Sequence, residues 1–288
     1  MRGGQWQAFY LMRGLVERGH KVRLLAPVHS PLFQAAEAKG IGVRPLRWTS
    51  LLTSLAGVDF IHAHDARAHS IALVCGKPLL VSRRVAFPVR RTPASYLKYR
   101  RARHYLAVSE FVKSTLLAAN IPADRISVVY DGVPTSRERR DAGASGRVVA
   151  LDSDDPGKGK TIIEKAAELA RVAVHFSGNP TRDLPGAALF VYITELEGLG
   201  SAALLAMAAG VPVLASRVGG LPEIIEEEVS GLLTTNEPDA VAARMTRLLN
   251  DRPLAIRLAN AARARVEERF SVERMINGTI RVYERMLS

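Results

Sequence analysis

The chain has 288 residues, 48% of them hydrophobic and 24% charged, which is length for two cores and the composition of a folded globular protein. No apolar run approaches the ~20 residues that cross a bilayer, no apolar leader follows Met1-Arg2-Gly3-Gly4, and Cys75 is the single cysteine, so a cytoplasmic protein without a disulfide framework is expected. The net charge of +12 is unevenly placed: residues 1–140 carry 23 Lys and Arg against 8 Asp and Glu, residues 141–288 carry 17 against 20, and the first half is therefore predicted to face something anionic.

Ala8, Leu11, Met12, Leu15 and Val16 fall on one face of a helix that Gly19 ends. Strands are predicted at Val22–Ala26, Gly42–Leu46, Val58–His62, Leu79–Ser82, His104–Ala107 and Ile126–Val129, with helical stretches between most of them. The third strand runs into His62-Ala63-His64-Asp65, with His69 beyond. Histidines so spaced invite a metal reading, but the dinuclear hydrolase pattern calls for Asp and then His where Ala66 and Arg67 stand. The cluster is expected to line a cleft or pack at a strand end, with no metal. From Arg83 to Arg103, eight Lys and Arg fall in 21 residues, interleaved with Phe87, Tyr96 and Tyr99. That pattern suits a solvated helix face, an anionic membrane surface or a nucleic-acid groove.

Asp131–Gly146 holds three glycines, a proline and the Arg137–Asp141 charge run, the composition of a linker. The alternation then restarts: strand Arg147–Leu151, a helix from Lys158, strands Val172–Phe176 and Ala188–Ile193, helix Ser201–Ala209, strand Val211–Ala215 and three closing helical patterns. Alternating strands and helices imply parallel sheets covered on both faces. The expected fold class is α/β, with two doubly wound Rossmann-like domains facing a cleft. The boundaries read as an N-terminal domain over 1–134, a linker over 135–146, a C-terminal domain over 147–270, and a terminal helix over 271–288 packing back toward the N-terminal domain.

Two segments of the second half can carry chemistry. Asp152–Thr161 (DSDDPGKGKT) ends like a P-loop, but Asp154 stands where the first glycine belongs, and three aspartates would repel phosphates. A lysine there can still neutralise a diphosphate. In Leu189–Gly220 a buried strand delivers Glu195 and Glu197 into a turn, and Gly198 and Gly200 open an Ala/Leu-rich helix. Glycine lets backbone N–H groups approach a ligand, the helix N-terminus favours an anion, and a neighbouring carboxylate can accept from sugar hydroxyls. A dinucleotide site is disfavoured, because the next strand ends Ala215-Ser216-Arg217 with no acidic residue for a ribose.

These segments together resemble the retaining, nucleotide-sugar-dependent glycosyltransferases called family four or group one. The resemblance runs through Gly3-Gly4-Gln5, Glu17–Val22, His62–Asp65, Ala107–Glu110, Val128–Val133, Lys158-Gly159, Glu197–Gly200, Ala206–Val213 and Gly219–Glu223. It implies a GT-B fold with the acceptor on the N-terminal domain and the donor on the C-terminal one, and no metal or other cofactor. Lys158 matches the lysine at the donor diphosphate, Glu197 the first glutamate of the Glu-x7-Glu motif, and Gly3, Gly4 and Gln5 the loop over the phosphates; Gly198, Leu199 and Gly200 belong to the donor-binding turn. The departures are as specific. Leu205 stands where the second motif glutamate holds the ribose, Ser153 where an arginine partners the lysine, and Ile193-Thr194 where prolyl-seryl is usual. The strand that precedes the glycine loop is absent, as is one βα unit between Leu169 and Phe176. Arg83 or Arg84 replaces a cleft histidine, near His64. The implied function is transfer of a hexose or similar sugar to a cell-envelope glycan or lipid by a cytoplasmic protein, peripheral on a membrane through Arg83–Arg103 and not bound to nucleic acid. The alternative is a catalytically degenerate relative serving as a binding or scaffold subunit.

Overall fold

The computed structural model describes residues 3–90, 92–135 and 146–288. Most of the expected linker, residues 136–145, and Arg91 of the basic stretch lie outside the described residues. The chain divides into two compact units, Met1–Tyr130 with Val272–Ser288, and Asp131–Ser271.

In the first unit the order is α1 (Gly3–Glu17), β1 (Arg23–Ala26), α2 (Pro31–Glu37), β2 (Gly42–Pro45), α3 (Trp48–Ser54), β3 (Ile61–Ala63), α4 (Ala66–Ala72), β4 (Leu79–Arg83), α5 (Pro93–Arg101), β5 (His104–Ala107), α6 (Glu110–Leu117) and β6 (Ile126–Val128). The predicted opening loop is a correction: Gly3, Gly4 and Gln5 are the first turn of α1, not a loop. The strand expected at Val58–His62 begins later, at Ile61. All strand pairs are parallel, in a two-stranded sheet β1-β2 and a four-stranded sheet β3-β4-β5-β6. β4 and β5 are almost wholly buried, as strands covered on both faces must be, whereas β1 and β3 are partly exposed.

Sequence sets the helix starts. Ser30, Asp65, Thr92 and Ser109 each cap the helix that follows by accepting a backbone N–H three residues on, and Pro31 and Pro93 occupy first-turn positions that need no donor.

The second unit contains β7 (Val148–Leu151), α7 (Lys160–Ala170), β8 (Val174–Ser177), α8 (Pro180–Asp183), β9 (Leu189–Tyr192), α9 (Ser201–Ala208), β10 (Val213–Ser216), α10 (Leu221–Ile224), β11 (Leu232–Thr234), α11 (Pro238–Asn250) and α12 (Arg252–Arg269). The helix expected from Lys158 starts at Lys160, after a 3-10 turn over Pro156–Lys158. Here a single parallel sheet runs in the order β11-β10-β9-β7-β8. The winding reverses between β7 and β9, which are neighbours in register Val148↔Leu189 and Ala150↔Val191. In such sheets the ligand crevice opens beyond the carboxyl ends of the strands at that reversal. Alternate residues Leu189, Val191 and Ile193 face a core with Ile163 and Ala166 of α7 and Val241 and Met245 of α11.

The last helix, α13 (Val272–Leu287), belongs to the first unit. Met275, Ile276, Val282, Tyr283 and Met286 join Leu11 and Leu15 of α1 and Leu80 and Leu106 of the central strands in one core. The approach of α13 to α1 is close at Gly14, where a Cβ would lie 2.2 Å from Ile276 Cδ1. A chain ending at Ser271 should therefore lose the first unit selectively: five buried side chains, each worth about 2–5 kcal/mol when truncated, leave its core. Hydrogen exchange should show β3–β5 unprotected and β7, β9 and β10 protected as before.

Candidate functional site

At the carboxyl end of β7 the loop to α7 is shaped by its own residues. The Asp155 carboxylate accepts the Gly157 N–H at 3.0 Å, and Gly159 turns the chain at φ +64°. A Cβ on Gly159 would sit 2.8 Å from the Ile193 carbonyl oxygen, so only glycine brings this loop against the end of β9. The Gly157 carbonyl then accepts from Glu195 N–H at 2.9 Å and from the Thr194 hydroxyl at 3.0 Å. These contacts put Lys158 beside Glu197, with Nζ 2.9 Å from Oε2. Both side chains keep some solvent access, 28% for Lys158 and 17% for Glu197.

Glu197 is held from two further directions. Its Oε2 also accepts the Tyr192 hydroxyl, and its Oε1 accepts the Gly198 N–H at 3.1 Å. The turn carrying it rests on a second glycine pair. Gly220 N–H donates to the Glu197 carbonyl, and Cβ atoms on Gly219 and Gly220 would lie 1.9 Å and 2.2 Å from the carbonyl oxygens of Glu197 and Gly198. Gly198, Leu199 and Gly200 are buried, and Gly200, at φ +109°, opens α9. Beneath, a ring of hydrogen bonds ties the strand ends: Thr194 N–H to Ser216 Oγ at 2.8 Å, the Ser216 hydroxyl to Asn236 Oδ1 at 2.6 Å, and Asn236 Nδ2 to the Thr194 carbonyl at 3.0 Å.

Of the predicted second-unit residues, Lys158, Glu197, Gly198, Leu199 and Gly200 thus share one site at the sheet's reversal point. Ser153 lies in the same β7–α7 loop, its hydroxyl accepting Asp155 N–H at 3.3 Å, and Leu205 is half-buried within α9. Sequence reasoning missed Tyr192, Ser216 and Asn236. Tyr192 read only as one more residue of a buried strand, and nothing local marks the other two. Lys160 pairs with Asp152 at 2.8 Å, so the P-loop-like lysine already has a carboxylate partner.

In the first unit, Gly4 and Arg84 approach, with a Cβ on Gly4 3.7 Å from Arg84 Cδ, and Arg84 reaches His64 Nδ1 at 3.2 Å. Arg83 goes elsewhere, to the Tyr99 hydroxyl at 2.7 Å and the Phe87 carbonyl. Among the described residues no group of three or more His, Cys, Asp and Glu is placed to hold a metal. His62 is bonded to Tyr283 Oη at 2.7 Å and Ser82 Oγ at 2.8 Å, Asp65 caps α4 through Ala68 N–H at 2.7 Å, and His69 is buried edge-on to Tyr99 and Tyr105. Burial, then the Arg84 charge, lowers His62 to about 3; burial, then His62 and Arg84, holds His64 well below its ordinary value. Burial, then Lys98, lowers His69 to about 4.

Comparison with known proteins places the two regions. Residues 1–137 match the model of Glycosyltransferase Family 4, and residues 157–265 that of Glycosyl transferases group 1. The MMP α-(1→4)-mannosyltransferase of Mycolicibacterium hassiacum is 29% identical over 177 residues, 60% of this chain and 43% of that protein. The D-inositol 3-phosphate glycosyltransferase of Saccharomonospora viridis is 29% identical over 199 residues, 59% of this chain and 45% of that protein. The matches thus span less than half the length of these curated relatives. Among solved structures, Anabaena HepE in complex with UDP and glucose superposes at a TM-score of 0.85 with 17% identity, covering 98% of this chain and 96% of that one. The apo lipopolysaccharide outer core galactosyltransferase WaaB gives 0.70 with 14% identity, covering 99% and 96%. The fold is that of GT-B glycosyltransferases, with two Rossmann-like domains.

These three histidines, with His104, which burial also lowers, predict a pH dependence of the first unit between pH 7.5 and 5. Their folded pKa values lie below the unfolded value near 6.5, so unfolding takes up protons as the pH falls. Stability is complete above about pH 7 and drops by up to about 1.4 kcal/mol per pH unit for each histidine kept neutral. Thermal unfolding followed at pH 7.5, 6 and 5 should show the first unit falling. His62→Gln should flatten that slope.

Proposed function

We propose, on the premise that the chain belongs to the group 1 glycosyltransferases, that it moves a sugar from a nucleoside-diphosphate sugar onto a cell-envelope glycan or lipid. The observation that carries this reading is the Lys158–Glu197 pair at the carboxyl ends of β7 and β9, beside the glycine turn that opens α9. An ammonium next to a helix N-terminus is a site for a diphosphate, and it stabilises the charge that develops as the nucleotide leaves. The adjacent carboxylate is placed to accept from sugar hydroxyls. That the reaction proposed needs no metal ion rests on the family resemblance. A hexose as the transferred group and retention of configuration rest on the family resemblance.

The structural neighbour HepE has been crystallised in complex with UDP and with UDP-glucose, which makes uridine the first base to test. For the acceptor side the support is the charge of the first unit. Its α5 has no buried residue and carries Lys98, Arg100 and Arg101 in its last turn, and Phe87, Tyr96 and Leu97 are exposed. Among the described residues no helix is long and apolar enough to cross a membrane. Basic and aromatic side chains together suit peripheral docking on anionic lipid, here proposed for the cytoplasmic face; setting nucleic acid aside rests on the family resemblance. Sedimentation with phosphatidylglycerol vesicles should fall steeply as salt is raised, and its absence at low salt would remove this part of the proposal. A second reading, a binding or scaffold subunit that does not catalyse, is favoured by Leu205, an apolar side chain where the ribose carboxylate is expected.

Calorimetric titration with UDP, GDP, ADP and their sugar conjugates decides between them. A working donor site should bind one base in the micromolar range. Lys158→Ala should weaken that binding about 100-fold, or ~2.7 kcal/mol. A folded chain that binds none of these ligands supports the scaffold reading.

A further inference from the structure

The donor-site carboxylate is the meeting point of three donors. Glu197 Oε2 receives both Lys158 Nζ, at 2.9 Å, and the Tyr192 hydroxyl, and Oε1 receives Gly198 N–H at 3.1 Å. The same tyrosine ring lies under the lysine, with Nζ 5.7 Å from the centroid. Tyr192 ends a strand whose every residue is buried, stacked on Phe190 with ring centroids 5.9 Å apart, so its ring has nowhere to move. Burial, reinforced by the Glu197 charge, pushes the phenol well above its ordinary value, and it remains a hydrogen-bond donor throughout the physiological range.

One cation cannot serve two anions equally. A diphosphate that recruits the Lys158 ammonium takes from Glu197 the partner that neutralises it, and sets two like charges around one lysine. A carboxylate held by that lysine alone would move with it. While Gly198 N–H holds Oε1, Tyr192 gives Oε2 a second anchor that carries no charge, competes for no phosphate and sits on the rigid sheet. When the lysine turns to the diphosphate, the lone pair it leaves on Oε2 is the right acceptor for a hydroxyl.

We propose that Tyr192 is the positioning residue of the donor site, fixing Glu197 Oε2 so that Lys158 passes to the diphosphate while a sugar hydroxyl takes its place on the carboxylate. This rests on the donor-site reading above and adds a coupling to it. A nucleoside diphosphate alone must separate Lys158 from Glu197 without compensation, whereas a sugar conjugate returns a donor to the carboxylate. Discrimination between conjugate and product then depends on the Tyr192–Glu197 bond.

The experiment is calorimetry with UDP and UDP-glucose on the full chain, the Tyr192→Phe and Glu197→Ala variants and the double variant. Tyr192→Phe should lower the ratio of UDP-glucose to UDP affinity about tenfold, the scale of a hydrogen bond to a charged group. Glu197→Ala should tighten UDP several-fold, by freeing the lysine, and weaken UDP-glucose. Adding Tyr192→Phe to Glu197→Ala should change neither affinity by as much as twofold, because the tyrosine acts through the carboxylate. A Tyr192→Phe ratio equal to wild type, a full additional loss in the double variant, or weaker UDP binding by Glu197→Ala would each overturn the coupling while leaving the donor site standing. UDP bound by each variant also certifies its fold. A folded wild-type chain that binds neither ligand would overturn the donor reading and the coupling together.

Discussion

Backbone meeting backbone is the constraint on which the second unit's site depends. Three turns close on one another past the ends of β7, β9 and β10, and each contact is made at a glycine. Gly159 lies against Ile193, Gly219 against Glu197 and Gly220 against Gly198, at separations where a Cβ would fall 1.9–2.8 Å from a carbonyl oxygen. Such contact is too close for any side chain, and a carbonyl cannot swing aside as a lysine tip can. The glycines therefore set where Lys158 and Glu197 meet. A parallel sheet provides the rest, because all of its strands deliver their carboxyl ends to the same edge.

Charge is arranged sparingly on that frame. Lys158 and Glu197 nearly neutralise each other, Lys160 is spent on Asp152, and Leu205 adds an apolar surface one turn into α9. The polar ring of Thr194, Ser216 and Asn236 carries no formal charge and is closed on itself, so it holds the strand ends without competing for a ligand. Orientation, more than total charge, is what this site has to offer. The first unit shows the opposite balance at the ends of β3 and β4, where histidines are kept neutral by burial and by Arg84.

Much of this was legible in the sequence, and the reasons differ by feature. Strands at Val148–Leu151, Leu189–Tyr192 and His104–Ala107 stand out because a strand covered on both faces must be continuously apolar, and the glycines after Glu197 stand out because little else tolerates those turns. Capping and turn residues were harder to place. Lys158 reads as the first residue of a helix, yet Asp155 draws Pro156–Lys158 into a separate 3-10 turn that ends at a left-handed glycine. The family resemblance implies a loop at Gly3-Gly4-Gln5, but the buried face of α1, with Gln7, Ala8 and Phe9, carries the helix back through the glycines. Tyr192 could not be singled out at all, since hydrogen bonding to Glu197 five residues on depends on a turn whose shape is set by Gly219 and Gly220, over twenty residues away.

That distance also separates the residues that shape these turns from those that line them. Leu205 and Ser153, where the family resemblance expects charged residues, are neither among the glycines nor in the ring of polar groups that hold the turns; Ser153 makes one bond within its own loop, to Asp155 N–H. Substitution there changes what the site can attract. Substitution at Gly159, Gly219 or Gly220 would change where the site is, and all three glycines are in place. What this frame holds fixed is thus the position of one carboxylate relative to one ammonium, and Tyr192 adds an uncharged constraint on that position from the strand itself.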